Sequence, residues 1–336
     1  MSVKTKIIGT ILLIVVMLIL GLHVMAPYLL RKKLNAYVKE NCVSCLLEIG
    51  TVKTDILFSN LRFEDVHFSW GDPKATAVDI QIPLLKMNMV ISGLFRHIIH
   101  LEHIIIKEPK VKVLEGDLKS ESSNSKTNGA QFVIDGIEIL QAHFTYTRES
   151  NGRFAPIHVG QIQAQIDQIG NTLDSIDHRT TGEVNAVLED SGKINLKVST
   201  YLFQKALNVD VDLKLNEQSL QRMNPYFETN DGIRLTGQLF EGHSGVSIKE
   251  QQLYAYVQAQ YEGLDIQFKK TGRRTALSAF FSNLIGGLKL KTKNTGVKQR
   301  EQIQYINIKR EPDETIFTFI FRGMKEASLK VATTSN

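Results

Sequence analysis

The sequence predicts a mainly β protein that is held at a membrane by a single helix near its N-terminus. Three observations support this prediction. An uncharged apolar run fills most of the first thirty residues, polar and apolar residues alternate along most of the remaining chain, and short turns with Gly, Asn or Asp separate the alternating stretches. A period of two is typical of strands with one apolar face. The predicted fold is therefore a transmembrane helix followed by an antiparallel β-sheet with a few short helices.

The composition is that of an ordinary folded protein. Of the 336 residues, 43% are hydrophobic and 22% are charged. These fractions argue against the disordered and collagen-like classes. The chain is long enough to bury a sizeable core in one or two domains.

The predicted membrane anchor occupies residues 7–30, where 24 consecutive residues carry no formal charge other than the one that His23 can acquire. At about 1.5 Å per residue, a helix of this length crosses a hydrocarbon layer of roughly 30 Å. A cleaved secretory signal is the alternative, but the run is longer than a typical signal core and no small-residue cleavage site follows it. We expect residues 1–33 to form a short N-terminal tip and an uncleaved anchor.

The sequence contains no second span of comparable length, so we expect everything after the anchor to lie on one side of one membrane. Lys4 and Lys6 precede the span and four cations follow it. Counted alone, these cations slightly favour a cytoplasmic location for the bulk of the chain.

The two cysteines, Cys42 and Cys45, lie in the phrase NCVSC. Structural zinc requires four ligands, and Leu46 stands where a haem-attachment motif requires histidine. The βαβ context of a thioredoxin-like redox pair is missing as well. We favour a local disulfide formed in an oxidising compartment, with two free structural thiols as the alternative.

Residues 34–114 are predicted to form a first block of strands. A short helix, RKKLNAYVKENC, is expected to lead from the anchor into this block. In SNLRFEDVHFSW the alternation runs up to Phe63, slips at Glu64 and Asp65, and resumes from Val66. Such a slip predicts a bulge or turn between two strand pieces. The phrases VDIQI and KVKVL continue the alternation, so this block is expected to form a small sheet.

A polar stretch at residues 115–129 interrupts the strands and is the best candidate for a domain boundary. Residues 130–265 then alternate over at least seven strand candidates, with one helical candidate around NEQSLQRMN. The candidates are FVIDGIEI, HFTYT, IHVGQIQAQI, KINLKVST, LNVDVDLKL, IRLTGQLF and QQLYAYVQAQY.

Short connections between successive strands predict an antiparallel meander with one apolar face, and that face needs a cover. The sheet could close on itself, pack in a sandwich, be covered by helices, or leave a groove that accepts apolar ligands. From the residues alone, an ordinary packed core is the expected outcome.

The last region, residues 266–336, is strongly basic at its start. The window 266–310 has eleven Lys or Arg against the single acidic residue Glu301, a net charge of +10 against +5 for the whole chain. Within it, one helical stripe is predicted. Its residues are Leu277, Phe280, Phe281, Leu284, Ile285 and Leu288, flanked by Arg273, Arg274, Lys289 and Lys291.

This basic amphipathic segment has two interpretations. It suits the interface of an anionic membrane, where aromatic side chains enter the lipid and cations meet phosphate. Alternatively, it packs its stripe on the sheet and exposes its cations to solvent. The basic patch lacks the aromatic pattern of a nucleic-acid-reading motif, so no nucleic acid is expected as a partner.

No recognisable catalytic motif accompanies these features, so we expect neither an enzyme nor a cofactor. His97, His100 and His103 are spaced by three, but in an extended chain His100 would point away from the other two. A metal site is therefore not expected.

Several phrases after the anchor follow a recognisable order. They are LEIGTVKTDILFSNLRFEDVHFSW, ATAVDIQIPLLKM and LEHIIIKEPKVKVLEG, the last closing with Pro109, Val111 and Val113. This order resembles the opening of AsmA-like proteins, a family that includes TamB-related, membrane-anchored, β-rich periplasmic proteins. The resemblance continues through FVIDGIEILQAHFTYTRE, LQRMNPYFETNDGIRLTGQLF and YVQAQYEGLDI to the terminal phrase TIFTFIFRGMKEASLK, and so covers nearly the whole chain.

The resemblance implies a single-pass protein of the bacterial inner membrane, with its N-terminus in the cytoplasm and its bulk in the periplasm. It also implies an elongated, half-open, taco-like sheet whose apolar groove binds or moves phospholipid and contributes to envelope lipid homeostasis. Ten to fifteen strands at roughly 4.8 Å spacing would give a sheet of about 50 to 70 Å.

Two function hypotheses follow. In the first, the partners are membrane lipids. In the second, the protein is a non-enzymatic scaffold for envelope assembly that binds other envelope proteins or copies of itself. In either case the stretch at residues 275–293 would plug the groove or touch a lipid surface.

Overall fold

The computed structural model describes the following parts of the chain. They are residues 25, 27–40, 42, 44–55, 59–71, 76–90, 92, 98–115, 131–150, 153–172, 176–204, 208–230, 232–268, 292–295 and 304–310, and residues 319, 320, 322, 323, 326 and 327. Most of the predicted anchor lies outside these residues, as does the predicted stripe from Leu277 to Leu288. Within the described parts, no helix has the length and apolar character needed to cross a membrane.

The protein is mainly β and forms one large sheet of fourteen strands. The strands are β1 (Cys45–Thr54), β2 (Asn60–Gly71), β3 (Thr76–Met89), β4 (Ile98–Lys107), β5 (Lys110–Glu115), β6 (Gln131–Ser150), β7 (Arg153–Gly170), β8 (Thr180–Leu188), β9 (Gly192–Thr200), β10 (Asn208–Ser219), β11 (Ile233–Lys249), β12 (Gln252–Phe268), β13 (Lys293–Asn294) and β14 (Gln304–Lys309).

Helices are few, as predicted. Residues 27–40 form α1, which includes most of the short helix predicted after the anchor. A 3₁₀ turn (Leu220–Met223) leads into α2 (Asn224–Asn230), close to the predicted helical candidate. Residues 319, 320, 322, 323, 326 and 327 are also helical and are called the C-terminal helical residues below.

The sheet is mixed, which corrects the prediction of an antiparallel sheet, whereas successive strands from β6 to β12 do pair antiparallel. Its strand order is β1-β2-β3-β4-β6-β7-β8-β9-β10-β11-β12-β13, with β14 beside β12 and β5 beside β3 and β6. Strands β4 and β5 lie end to end along β3, and β6 runs parallel to both. A parallel pairing requires a crossover connection. Residues 116–130 provide it, because they join the end of β5 to the start of β6.

Strand pairing divides the sheet into two faces. Residues directly opposite each other on paired strands share a face. Pairs such as Phe63 with Leu85 and Val184 with Leu196 define an apolar face, while Glu183 with Lys197 belongs to the opposite, polar face. The alternation in the sequence thus continues consistently from strand to strand.

A line of irregularities, here called the crease, crosses strands β2 to β7. Asp65, Glu108, Gln141 and Gln161 have φ of 55, 51, 55 and 52° and lie at nearly the same level of adjacent strands. Left-handed backbone is uncommon outside glycine, and an extra residue bends a strand and increases its twist. The crease therefore bends neighbouring strands together. The slip predicted at Glu64 and Asp65 coincides with the left-handed backbone of Asp65, but β2 is one strand and keeps its register with β1 and β3 on both sides of this residue.

Buried clusters form at the two ends of the apolar face. At the N-terminal end, Ile49, Phe63 and Val66 pack with Leu30 and Leu34 of α1. At the other end, strands β10 to β12 and β14 pack against the C-terminal helical residues. Their buried members are Val209, Val246, Ile248, Leu253, Ala255 and Phe319 in one cluster and Val257, Ile306 and Ala327 in another.

Candidate functional site

The candidate site is the apolar face, because one row of directly paired residues crosses eleven strands on it. This apolar row consists of Val52, Phe63, Leu85, Ile106, Ile139, Ala164, Val184, Leu196, Leu213, Ser244 and Val257. Ser244 is its single polar member. At about 4.8 Å between neighbouring strands, the row is roughly 48 Å long.

The middle of the apolar face is less covered than its ends. Ile139, Val184 and Leu196 of the apolar row are only partly buried, and so are Ile137 and Ile166 in the row beside it. None of the three buried clusters formed by the described residues has a buried member in β4 to β9. Other apolar side chains of these strands are buried, among them Ile104, Ala164 and Leu188, so the apolar surface of the central strands is accessible only in part.

A short helix extends over part of this central surface. The ring of Tyr226 in α2 lies 6.1 Å, centroid to centroid, from the ring of Tyr146 in β6. Asn224 fixes the start of α2 to β11, because its side chain accepts a hydrogen bond from Leu235 N at 2.7 Å and donates one to Leu235 O at 2.9 Å. The helix therefore links two parts of the sheet that are separated by several strands.

Helix α1 has an outward surface with both apolar and cationic side chains. Leu30 and Leu34 face the sheet, and Arg31 donates a hydrogen bond from Nη1 to Gly50 O at 3.0 Å. Met25, Tyr28, Leu29 and Tyr37 are exposed large hydrophobic residues, and Lys32, Lys33 and Lys39 are exposed as well. Aromatic, aliphatic and basic side chains on one short helix are typical of a segment at a membrane interface.

Cys42 and Cys45 form a disulfide, with their Cα atoms 5.2 Å apart. The backbone supports the same connection, because Cys42 N donates to Val38 O at 2.9 Å and Cys45 N donates to Cys42 O at 3.3 Å. The bridge joins the residues that follow α1 to the first residue of β1. It therefore constrains the helix relative to the edge of the sheet.

The residues predicted for lipid contact lie outside the described parts of the chain. They are Leu277, Phe280, Phe281, Leu284, Ile285, Leu288, Arg273, Arg274, Lys289 and Lys291. Their role stays a prediction. The apolar row was not recognisable in the sequence, because an alternating pattern does not reveal which residues of neighbouring strands stand opposite each other.

The polar face carries several histidine–carboxylate pairs that join different strands. His67 lies 2.7 Å from Asp79, and His100 lies 2.8 Å from Asp135. The hydrogen bond to Asp79 outweighs desolvation and raises the pKa of His67 above its usual 6.5. His103 lies 3.6 Å from Glu138, so both histidines of β4 reach carboxylates on β6.

No group of three or more possible metal ligands occurs among the described side chains. Of the three histidines spaced by three in the sequence, His97 lies outside them. The pairs of His100 and His103 with carboxylates link strands β4 and β6. This arrangement explains these two histidines as cross-strand partners.

Comparisons with other proteins provide no family assignment. No protein-family model matches the sequence, and a search of curated proteins finds no significant match.

Proposed function

We propose that this protein binds or moves phospholipid along its apolar face. The observation that carries the proposal is the apolar row, which continues across eleven strands over roughly 48 Å. Acyl chains are flexible and apolar, and burying them on such a surface is favoured by about 25 cal/mol per Å² of area removed from water. In an enclosed core, the apolar side chains of the central strands would be fully buried, whereas Ile139, Val184 and Leu196 are only partly buried.

The resemblance to AsmA-like proteins supports the same proposal. It implies a half-open sheet, an inner-membrane anchor with a cytoplasmic N-terminus, and a periplasmic location for the sheet. The outward surface of α1 is consistent with a membrane beside the N-terminal end of the sheet. The disulfide between Cys42 and Cys45 suits an oxidising compartment such as the periplasm.

The direct test measures lipid that copurifies with the protein. After exchange into a detergent free of phospholipid, mass spectrometry should detect bound phospholipid on the unmodified chain. Replacing Val184 or Leu196 by Asp places a charge on the apolar row and should reduce the bound lipid severalfold. The matched controls are Glu183→Asn and Lys197→Asn, neighbours on the polar face, which should retain it.

A crosslinking measurement locates the lipid. A photoreactive phenylalanine analogue at Ile139 should form adducts with phospholipid, while the same analogue at Glu138 should not. A folded protein without lipid, or equal adducts at both positions, would contradict the proposal.

The second candidate function is an assembly scaffold, and the outer edge of β1 favours it. Among the described strands β1 pairs only with β2, so its other edge can pair with a further strand, although Gly50 O already accepts a hydrogen bond from Arg31. Such edges accept a further strand from another protein. Crosslinking through Glu48 or Lys53 that recovers a stoichiometric protein partner, together with absence of lipid, would favour the scaffold.

A further inference from the structure

The polar face contains a concave site that the lipid proposal leaves unused. A cavity of about 750 Å³ lies across strands β7 to β12. This volume is within the range of small-molecule binding sites, about 300 to 1,000 Å³. Its polar lining consists of Gln165, Asp167, Thr181, Glu183, Lys197, Ser199, Asp210, Asp212, Ser247, Tyr254 and Tyr256.

The lining is built from two adjacent rows of paired residues. One row runs from Gln165 through Lys197 to Tyr256, and the other runs from Asp167 through Ser199 to Tyr254. Strand pairing fixes the spacing of both rows. The polar groups therefore form a regular array across six strands, opposite the apolar face.

Tyr256 is held in place at one end of the cavity. Gly245, directly opposite on β11, leaves room for the tyrosine ring, because a Cβ at this position would overlap it. The Tyr256 hydroxyl lies 3.2 Å from Asp212 Oδ2 and 2.9 Å from His243 Nε2, and this nitrogen lies 2.6 Å from Asp212 Oδ2. The three side chains form one network, so the ring and the carboxylate are preorganised.

Two of the four carboxylates in the lining have an arginine or lysine as partner. Asp210 forms an ion pair with Arg179, and Glu183 lies 3.6 Å from Lys197. Asp167 accepts a hydrogen bond from Gln165 at 3.1 Å. Burial disfavours the charged form of Asp212, but hydrogen bonds from His243 and Tyr256 and the nearby Lys214 outweigh it and lower its pKa. The lining thus combines four carboxylates and the single ammonium of Lys197 with amide and hydroxyl groups, and so offers both donors and acceptors.

This chemistry suits a neutral ligand with many hydroxyl groups. Each hydroxyl donates one hydrogen bond and accepts others, which matches an array of carboxylates, amides, an ammonium and hydroxyls. Tyr254 is 46% exposed and adds an amphipathic ring of the kind that packs on a ligand while its hydroxyl stays hydrogen-bonded. We propose that this cavity binds a short neutral oligosaccharide.

The test uses the full chain in a detergent without a sugar headgroup, such as an amine oxide. Chitotetraose and maltotetraose serve as probes, with saturation-transfer NMR to detect contact and calorimetry to measure affinity. At least one of them should receive saturation from the protein. Tyr254→Ala should weaken binding about fivefold, which corresponds to about 1 kcal/mol for the loss of an aromatic contact.

The matched control is Phe240→Ala, which removes an aromatic residue of similar exposure outside the cavity lining and should leave sugar binding unchanged. Gln165→Ala provides a second lining variant if Tyr254→Ala does not fold. Absence of saturation transfer for both sugars would overturn the proposal. So would equal losses in Tyr254→Ala and Phe240→Ala, or binding of spermidine in place of the sugars. Because the proposed lipid site lies on the apolar face, lipid copurification tests the lipid proposal independently of the sugar measurements.

Discussion

The ends and the middle of the apolar face differ in how they are covered. At the ends, helical residues complete buried clusters in which Leu253 and Phe319 are 0% exposed. In the middle, Leu196 and its neighbours in the apolar row remain partly accessible. Strands with the same alternation thus form a packed core in one place and an open surface in another. Because the buried clusters of the described residues lie at the ends, we expect the ends to contribute more to stability than the middle.

The largest expected effect comes from truncating the same residue type in both regions. Leu253→Ala should reduce the free energy of unfolding by about 3 kcal/mol, because a fully buried leucine leaves a cavity. Leu196→Ala should cost roughly 1 kcal/mol, because its side chain is only partly removed from water. Urea denaturation of both variants measures the difference. Equal losses would contradict the distinction between a packed end and an open middle.

A smaller effect is expected at Gln141, where the crease crosses β6 in the less covered middle of the sheet. Gln141 is exposed and has φ of 55°. Gln141→Val should cost about 1 to 2 kcal/mol, because a β-branched residue tolerates left-handed backbone poorly. Gln141→Gly is the control and should be neutral or slightly stabilising. If valine is tolerated as well as glycine in thermal unfolding, this backbone conformation does not limit stability.

Ser244 provides a third comparison, since it is the polar member of the apolar row at its covered end. It is 8% exposed, and its hydroxyl has no hydrogen-bond partner among the residues that the structure describes. Ser244→Ala should raise the free energy of unfolding by about 1 kcal/mol, because an unpaired buried hydroxyl is removed. Ser199→Ala, on the polar face, should change it little. A destabilised Ser244→Ala variant would show that the hydroxyl is paired in solution.

The smallest effect should be a pH dependence at the N-terminal end, from His67 and Asp79. The pKa of His67 is raised in the folded state above the unfolded value of 6.5. The pair therefore contributes its full stability below pH 6.5, and this contribution is lost as pH rises through the folded pKa. Unfolding measured from pH 5 to 9 should show a small decline that His67→Gln removes. An unchanged slope in the variant would exclude this pair as its source.

Local features of the chain were predicted well where a few neighbouring residues decide them. The slip at Glu64 and Asp65 indicated a local irregularity, and Asp65 has left-handed backbone within a strand that keeps its register. Strand β8 was missed, because TTGEVNAVL contains small residues and alternates weakly. Strand β11 extends to Lys249, well beyond the predicted IRLTGQLF, because pairing with β10 and β12 supports the polar and glycine-containing residues that follow.

The parallel pairing of β6 could not be predicted. The polar residues 116–130 have the same composition whether they separate two domains or return the chain along the sheet. The contacts that decide between these outcomes join residues far apart in sequence, such as Ile104 and Ile137.

The sequence by itself determined that the protein is mainly β and that its strands have an apolar and a polar face, because period-two alternation is a local property of each strand. Only the tertiary structure decided that eleven strands align their apolar residues in one row and that the polar face forms a cavity. The register between strands depends on hydrogen bonds and bulges shared by distant segments. Both proposed sites depend on that register, so neither could be located before the strands were paired.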